Sequence, residues 1–426
     1  MEILIKNGLV IDPANKINEV CDVLVSGARI SAVKKNIKKN ADRIIDAKDK
    51  IVMPGIVDMH VHLREPGRED KETVATGTNA AAKGGVTSVL AMPNTFPAMD
   101  SSANIKLLRN IIKKTGKVEV FLAGSITKGL LGEELCNIAE LKRAGAIAIS
   151  DDGYSVDSDD IMLKAFDRAK KEKMIVICHC EDKSLSRSGA VNLGLTSTRL
   201  GLRGISKESE YKRVERDIKL AEKSSANVHI AHVSCRESVE AIEKAKKKGV
   251  SVTAETAPHY FTLSEEDLLD YNTNMKINPP LRAIDDVVSI KEALRNGIID
   301  VIASDHAPHT ENEKDIEFEY AASGTIGLET ELALAVTELV DNGILNWEDL
   351  IRKMCVNPCA ILGIDKGSLG IGCDADIAIV SPKTQWSIKK DDFVSRSKNS
   401  AFLGKKLKGK IDYTISKGNI VYEIHS

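Results

Sequence analysis

The stretch GIVDMHVHLREPG, residues 55–67, begins as an apolar strand-like run and ends in a Pro-Gly turn. Side chains two residues apart in an extended segment point to the same face. His60 and His62 would therefore point together, as two ligands of one metal ion would. A pair of ordinary polar strand residues is the alternative, and the His-x-His pattern alone does not separate the two interpretations.

Seven further apolar runs follow along the chain, and each ends in polar or turn-forming residues. Segments with helical spacing, such as SANIKLLRNIIKKT and SDDIMLKAFDRAKKEK, separate them. Eight alternations of strand and helix predict an α/β fold, a (β/α)8 TIM barrel. The runs are apolar on both faces, as strands between a barrel interior and outer helices should be. In order, they read GIVDMHVH, VTSVLAMPN, VEVFLAGS, AIAISDDG, MIVICHC, VHIAHVS, VSVTAET and IDVIASDH.

Both ends of the chain have the pattern of short strands separated by Gly and Asp turns. Residues 1–54 contain EILIKNGLVID and CDVLVSGARISAV, and residues 366–426 contain GCDADIAIVSP and KLKGKIDYTISKGNIVY. We expect these two segments to form one small β-sandwich domain, with the barrel as residues 55–365 between them.

Composition excludes several classes of protein. The chain has 426 residues, 42% of them hydrophobic and 29% charged, which suits a large globular fold. A net charge of −2 provides no basic footprint for nucleic acid or an anionic membrane, so neither is an expected partner. The first residues carry charges where a signal peptide needs an apolar core, and the eight cysteines include no Cys-x-x-Cys pair. Reduced thiols and a cytoplasmic location are the expectation.

Polar residues fall at the carboxyl ends of the predicted strands, where barrel active sites lie. A single histidine at a strand end is more often structural, but so many metal-type side chains at equivalent positions indicate a metal site. Nitrogen and carboxylate ligands without thiolate suit Zn, Mn, Fe or Co at a catalytic centre. The polar residues at these strand ends are four histidines and two aspartates together with one asparagine: His60, His62, His179, His232, Asp152, Asp305 and Asn94.

The other histidines have different expected positions. His229 precedes His232 by three residues, so strand alternation places it on the opposite face, against the outer helices. His259 and His306 are adjacent to the predicted rim and would support the ligands from behind. His309, on the loop after the eighth strand, is expected to contact substrate, and the terminal His425 is expected to have no role.

The motifs DMHVHLREPG and SDHAPHT resemble the two signature motifs of the bacterial-type dihydroorotases, a family of the amidohydrolase superfamily. AMPNT, SDDG, HCED, IAHVS, INPPLR, GLET and GCDADIAIV resemble that family in order and spacing, so the resemblance covers the whole chain. It implies a two-metal barrel that interconverts dihydroorotate and N-carbamoyl-L-aspartate in pyrimidine synthesis.

Carried over residue by residue, the resemblance implies two zinc ions per subunit. His60, His62, Asp152 and Asp305 would hold one ion, and Asp152, His179 and His232 the other. Asp305 would also be the proton shuttle to and from a metal-activated water. The implied substrate contacts are Arg64, Asn94, Asn278, His309, Ser323 and Gly324. Two departures from the family pattern are Tyr260, where a second histidine is common, and the absence of Pro-Phe before Gly324.

Two positions leave alternatives open. Arg64 offers a planar fork of donors that matches a substrate carboxylate, but it could instead form a surface ion pair with Glu65 or Asp70. Residues 310–323, TENEKDIEFEYAAS, form a charged loop that could be either a solvated surface loop or a lid over the substrate.

Two alternative functions are weighed against dihydroorotate chemistry. A dihydropyrimidinase, hydantoinase or allantoinase would use a carboxylated lysine in place of Asp152, and its neutral substrate would need no Arg64. A catalytically inactive homologue that serves aspartate transcarbamoylase as a partner would lack ligands, and none is missing here. The expected assemblies are a homodimer and an association with aspartate transcarbamoylase.

Overall fold

The computed structural model describes residues 1–424, so His425 and the end of the predicted C-terminal region lie outside the described residues. The N-terminal region consists of five strands. They are β1 (Glu2–Asp12), β2 (Ile17–Ser26), β3 (Arg29–Lys34), β4 (Arg43–Asp46) and β5 (Ile51–Pro54).

The middle of the chain contains the eight predicted barrel strands, all parallel. A separate two-stranded ribbon, β11 with β12, is inserted after the fifth barrel strand. The strands in chain order are β6 (Ile56–Val61), β7 (Val86–Ala91), β8 (Glu119–Ser125), β9 (Ala146–Ser150), β10 (Ile175–Cys178), β11 (Val191–Asn192), β12 (Gly204–Ile205), β13 (Val228–Ile230), β14 (Val252–Thr256) and β15 (Val301–Ile302).

Helices follow the barrel strands and pack outside them. The predicted helix SANIKLLRNIIKKT is one of them. Ser101 caps its start by accepting a hydrogen bond from the Asn104 amide, and Gly116 follows its last turn. Ile105 and Leu108 are its buried residues. The helices are α1 (Val74–Lys83), α2 (Ser102–Thr115), α3 (Ile138–Ala144), α4 (Asp159–Glu172), α5 (Lys183–Ser186), α6 (Leu195–Leu200), α7 (Glu208–Ser224), α8 (Arg236–Lys247), α9 (Pro258–Thr262), α10 (Ile284–Arg295), α11 (Glu311–Lys314), α12 (Glu331–Ala335), α13 (Trp347–Ile351) and α14 (Asn357–Leu362).

The barrel is closed by contacts between its first and last strands. Neighbouring strands pair in the order of the chain from β6 to β15, and Val61 then forms a parallel bridge with His306. The amide of His62 donates to the His306 carbonyl at 2.9 Å. Strands such as β10 are buried on both faces, as predicted for a parallel barrel. One apolar cluster of the core comes from these strands and from the residues that directly follow them: Met59, Leu90, Ala123, Ala148, Ile177, Ala231 and Ala303.

The two termini form one mixed sheet, which confirms that strands from both ends of the chain come together in one β region. The C-terminal strands are β16 (Ile377–Ser387), β17 (Lys406–Ser416) and β18 (Asn419–Glu423). β16 pairs antiparallel with β5, and β5 pairs parallel with β1, so the two ends of the chain meet in the middle of the sheet. Both sheet faces carry buried apolar residues, such as Ile3 on one and Leu4 on the other.

None of the helices within residues 1–424 combines the length and hydrophobicity needed to cross a bilayer.

Candidate metal centre and substrate pocket

The six predicted metal ligands converge at the carboxyl ends of the barrel strands, and Asp152 lies at their centre. Asp152 Oδ1 is 3.3 Å from His60 Nε2, 3.7 Å from His179 Nδ1 and 3.6 Å from His232 Nε2. Asp152 Oδ2 is 3.4 Å from His62 Nε2. Asp305 Oδ1 lies 3.4 Å from the same nitrogen and 3.7 Å from His60 Nε2. All six residues are buried.

Two sets of three side chains could each hold a metal ion, and they share Asp152. His60, His62 and Asp152 form one set, and Asp152, His179 and His232 form the other, with ligand atoms within 4.8 Å of one another in each. The buried His60 Nε2 and Asp152 Oδ1 atoms have no hydrogen-bond partner. Unpaired buried polar atoms are rare, and a cation between them would satisfy both. Each set therefore fits a metal ion, and Asp152 belongs to both sets.

Three of the four histidines are oriented by an acceptor on the nitrogen that faces away from the cluster. His60 Nδ1 lies 2.5 Å from Glu255 Oε1, and His62 Nδ1 lies 2.8 Å from Asn94 Oδ1. His179 Nε2 is 3.4 Å from Glu181 Oε2. Metal-ligating histidines typically use their second ring nitrogen in this way, which fixes the ring and its tautomer.

Three site residues have a left-handed backbone that strand alternation does not anticipate. The φ angles are +61° at Arg64, +36° at His232 and +47° at Asp305. Such conformations are costly for residues other than glycine and concentrate at functional sites. Each reorients its side chain just after a barrel strand.

The predicted position of His229 is wrong for this reason. β13 ends at Ile230 and the turn at His232 follows, so His229 and His232 both face the barrel interior. His229 Nε2 lies 3.2 Å from Glu255 Oε2, and its Nδ1 is 2.8 Å from the Thr253 hydroxyl. His229 thus orients the Glu255 carboxylate, which in turn orients the His60 ring.

The neighbouring aspartates Asp151 and Asp152 point in opposite directions, as alternation predicts. Asp151 accepts hydrogen bonds from the Ile126 and Thr127 amides at 2.7 and 3.1 Å, so it anchors the end of β8. Ser158 caps the following helix, α4. Gly153 has φ +81°, which allows the chain to turn directly after Asp152.

A cavity of about 240 Å³ opens above the cluster and is lined by all of the predicted substrate contacts. His62, Asp152, His179, His232 and Asp305 also line it, whereas His60 does not. Asn94 accepts from His62 through its oxygen, so its amide nitrogen remains available to a ligand. The lining substrate contacts are Arg64, Asn94, Asn278, His309, Ser323 and Gly324.

Arg64 belongs to this pocket, and the alternative of a surface ion pair is wrong. Its Nε donates to the Pro308 carbonyl at 3.2 Å. Asp70 pairs with Arg68 instead, and Glu65 accepts from the Val74 amide. Burial lowers the pKa of Arg64 to about 10, which leaves the guanidinium charged at neutral pH.

The other wall of the pocket is assembled from distant parts of the chain. The carboxamide of Asn399, in the segment between β16 and β17, accepts from the His309 amide at 3.0 Å and donates to the carbonyls of Ala307 and Gly324 at 3.2 and 3.1 Å. A Cβ on Gly324 would lie 2.7 Å from the Ala307 side chain. The backbone therefore approaches too closely for any other residue at that position.

Segment 310–323 was expected to be either a solvated surface loop or a lid over the substrate, and it has features of both. Lys314 is buried, and its ammonium donates to the carbonyls of Thr273 and Ala322 at 3.0 and 2.6 Å. Tyr320, by contrast, is 75% exposed. The segment is thus tied down at its inner side and solvated at its outer side.

His259 and His306 are buried beside the cluster, as expected. His306 Nε2 lies 3.2 Å from Glu72 Oε2, and burial lowers the pKa of His259 to about 4. The departure from the family pattern at Tyr260 is accommodated by a hydrogen bond from its hydroxyl to the Pro279 carbonyl at 2.8 Å.

Three residues of the site were missed from the sequence. Glu255 left a usable signal, because a glutamate in the strand run VSVTAET needs a partner when both faces are buried. Asn399 left none, and neither did Lys71, whose ammonium lies 3.2 Å from His309 Nδ1. Both are polar residues in loops, and only the folded chain brings them to the pocket.

Replacing Glu255 by glutamine is expected to weaken metal binding or turnover by about 10- to 100-fold, the usual cost of losing a histidine-orienting carboxylate. His60 would keep its ring position but lose a charged acceptor. The matched control is Glu265→Gln, since buried Glu265 accepts from Asn192 at 2.5 Å rather than from a ligand. Competition against a chromophoric chelator measures the affinity, and equal affinities in both variants would contradict the role.

A parallel barrel whose strand ends place four histidines and Asp305 around the shared carboxylate of Asp152 has the architecture of a metal-centred hydrolase of the amidohydrolase class. A family profile described as "Dihydro-orotase-like" matches residues 49–238. The chain is 52% identical to the dihydroorotase of Elusimicrobium minutum, covering 99% of this chain and 98% of that one. It is 48% identical to the dihydroorotase of Geobacter metallireducens, covering 99% and 100%. The chain belongs to the dihydroorotase family.

Solved structures show the same architecture. The L-hydantoinase (dihydropyrimidinase) of Arthrobacter aurescens superposes with a TM-score of 0.90 at 26% identity, covering 100% of this chain and 96% of that one. The dihydropyrimidinase of Brevibacillus agri superposes with a TM-score of 0.87 at 23% identity, covering 99% and 95%, which shows the shared fold.

Proposed function

We propose that this protein is a dihydroorotase, which interconverts dihydroorotate and N-carbamoyl-L-aspartate in pyrimidine biosynthesis. The observation that carries the proposal is the pocket itself. The charged Arg64 and the imidazole of His309 form one wall, and the candidate ligands with Asp305 form the floor. A cyclic amide with a ring carboxylate would meet a cationic clamp and a hydrolytic centre at the same time.

Each of these residues would have a separate role in the reaction. Arg64 would bind the ring carboxylate through two parallel donors, and Asn94 would add a neutral donor. Asp305 would accept a proton from the attacking water and return it to the leaving nitrogen. Two ions held by the histidines and Asp152 would lower the pKa of that water and polarise the ring carbonyl.

Zinc is the proposed metal, with two ions per subunit. Four histidines and two carboxylates without a thiolate suit zinc at a catalytic site. Metal analysis of the purified protein tests this, with two equivalents of zinc as the expected content.

A cyclic amidohydrolase for neutral rings is the second candidate, because the structural neighbours include hydantoinases. Two features of this pocket disfavour it. Asp152 occupies the position where a carboxylated lysine is expected in such enzymes, and a neutral ring would leave the half-buried Arg64 guanidinium without a charged partner. One assay of the purified protein against dihydroorotate, hydantoin and allantoin, with and without chelator, separates the candidates. Turnover of hydantoin or allantoin alone would overturn the proposal.

Replacing Arg64 by methionine is expected to damage dihydroorotate turnover selectively. A charge-assisted hydrogen bond contributes about 1.5–3 kcal/mol, which is about 10- to 150-fold in kcat/KM. Hydantoin has no carboxylate, so its turnover should change far less. Arg352→Met is the control, because Arg352 pairs with Glu348 at the surface and does not line the pocket. Equal losses on both substrates would assign Arg64 a structural role.

The assembly and location of the protein stay predictions. All eight cysteines are unpaired, which is consistent with a reducing compartment. A homodimer and an association with aspartate transcarbamoylase are tested by sedimentation of the protein alone and of a mixture with that enzyme.

A further inference from the structure

A buried lysine contacts the substrate pocket from behind. Lys71 lies in the turn before α1, and its side chain is 8% exposed. Its Nζ is 3.2 Å from His309 Nδ1 and 2.8 Å from Glu313 Oε1. On the other side of the ring, His309 Nε2 lies 2.9 Å from the Ser323 carbonyl. The ring is thus held between an ammonium and a carbonyl.

The chemistry of these two partners determines where the imidazole carries its proton. An ammonium has three donors and no acceptor, so His309 Nδ1 must present a lone pair to Lys71. The Ser323 carbonyl can only accept, so Nε2 must carry the hydrogen. Both contacts demand the same neutral form. Burial acts in the same direction, since it lowers the pKa of His309 to about 4.

A carboxylate that could compete with Lys71 lies beside His309 Nδ1. Glu313 Oε2 is 3.4 Å from His309 Nδ1, and a carboxylate there would favour a proton on Nδ1. In the folded protein Glu313 is otherwise engaged: Oε1 pairs with Lys71 and with Arg68, and Oε2 accepts from the Thr310 amide at 3.1 Å. Lys71 therefore both occupies Nδ1 and neutralises the carboxylate that would protonate it.

We propose that Lys71 is a positioning residue for substrate recognition, which holds His309 as a neutral Nε2–H donor; the Ser323 carbonyl accepts this hydrogen in the free pocket, and the substrate carboxylate would share it on binding. Arg64 Nη2 is 3.5 Å from His309 Nε2, so the two donors are adjacent in the pocket. Without Lys71, the proton would move to Nδ1 beside Glu313, and the lone pair of Nε2 would face both the Ser323 carbonyl and an incoming carboxylate. The link to the substrate carboxylate rests on the proposed dihydroorotase function; the tautomer does not.

The proton position is measured directly by nitrogen NMR of histidine-labelled, full-length, zinc-reconstituted protein, with the His309 signals assigned from a His309→Gln sample. The wild-type ring should show an unprotonated Nδ1. Lys71→Met should show a proton on Nδ1, whereas Lys71→Arg, which keeps a donor-only cation, should resemble the wild type. In the double variant Lys71→Met with Glu313→Gln the carboxylate is gone, so Nδ1 should again be unprotonated. A protonated Nδ1 in the wild type, or an unprotonated one in Lys71→Met, would overturn the proposal.

Kinetics then test the role of Lys71 in substrate recognition. Lys71→Met should raise KM for dihydroorotate by about tenfold or more, with a smaller change in kcat, because a charge-assisted contact to the bound carboxylate is weakened. Activity on hydantoin should change less, and the double variant should recover part of the loss. A loss in Lys71→Met that falls equally on both substrates would overturn the recognition role. If the wild type shows no dihydroorotate turnover, the proposed function fails, and the NMR result still decides the role of Lys71.

Discussion

Replacing Asp305 by asparagine is expected to remove most of the turnover and to leave the fold and the metal content close to native. Asp305 Oδ1 lies within 3.4 Å of His62 Nε2, and an asparagine oxygen could occupy the same place beside the ion. The carboxamide of asparagine, however, neither accepts nor releases a proton near neutral pH, and a positioned acid–base group contributes about 10²- to 10⁴-fold to a reaction rate. Turnover should fall by a factor in that range.

The control for this variant is Asp151→Asn, another buried carboxyl at the end of a barrel strand, which is directed at the Ile126 and Thr127 amides. The Asp151→Asn substitution should lower the thermal stability and leave the turnover per folded molecule nearly unchanged. Metal content, thermal unfolding and kcat are measured for both variants. Near-native kcat in Asp305→Asn with both ions bound would rule out Asp305 as the proton shuttle.

Replacing Asp152 by alanine is expected to abolish binding of both ions and activity with them. Its two oxygens lie 3.3–3.7 Å from one nitrogen of each of the four histidines, so one substitution removes a ligand from both sets. Metal ions contribute several kcal/mol to the transition state of such hydrolyses, so the activity should fall by at least about a hundredfold to a thousandfold. Asp151→Ala should retain both ions, because its carboxylate points away from the cluster.

The chemistry of an aspartate bridge has a second consequence for the same pair of variants. A lysine must react with carbon dioxide before it can bridge two ions, whereas an aspartate is already ionised, with a typical pKa near 3.9. Burial opposes ionisation of Asp152, but the facing histidines, His60 foremost, hold its pKa well below the usual range. Reconstitution of the apo-protein with zinc should therefore be independent of added bicarbonate. A bicarbonate requirement in the wild type, or loss of an ion in Asp151→Ala alone, would contradict the assignment of the bridge.

Much of the fold and of the candidate centre could be read from the sequence because the relevant signals are local. Alternation of apolar runs with helical segments predicts the barrel, and the barrel in turn predicts that strand ends share one rim. Four histidines and two aspartates at those ends then predict a metal centre before any distance is known. The His-x-His spacing in β6 and the turn at Gly153 are local for the same reason, since adjacent backbone geometry determines them.

Other features depended on the tertiary structure. Strand alternation placed His229 against the helices, but the left-handed backbone at His232 keeps both histidines inside the barrel. A chain can hold such a conformation only where the surrounding packing compensates its cost, and packing is not local.

The contacts that orient the site residues from behind could not be predicted from the sequence either. Lys71 reaches His309 across 238 residues of chain, and Glu255 reaches His60 across 195. A polar side chain in a loop carries no signal of a partner so distant in sequence. Periodicity and motif spacing are properties of neighbouring residues, so they were enough to predict the barrel and the candidate ligand set. The structure alone decided which groups orient those ligands and complete the pocket wall, because burial makes unpaired polar atoms costly and only the folded chain brings their partners within hydrogen-bond distance.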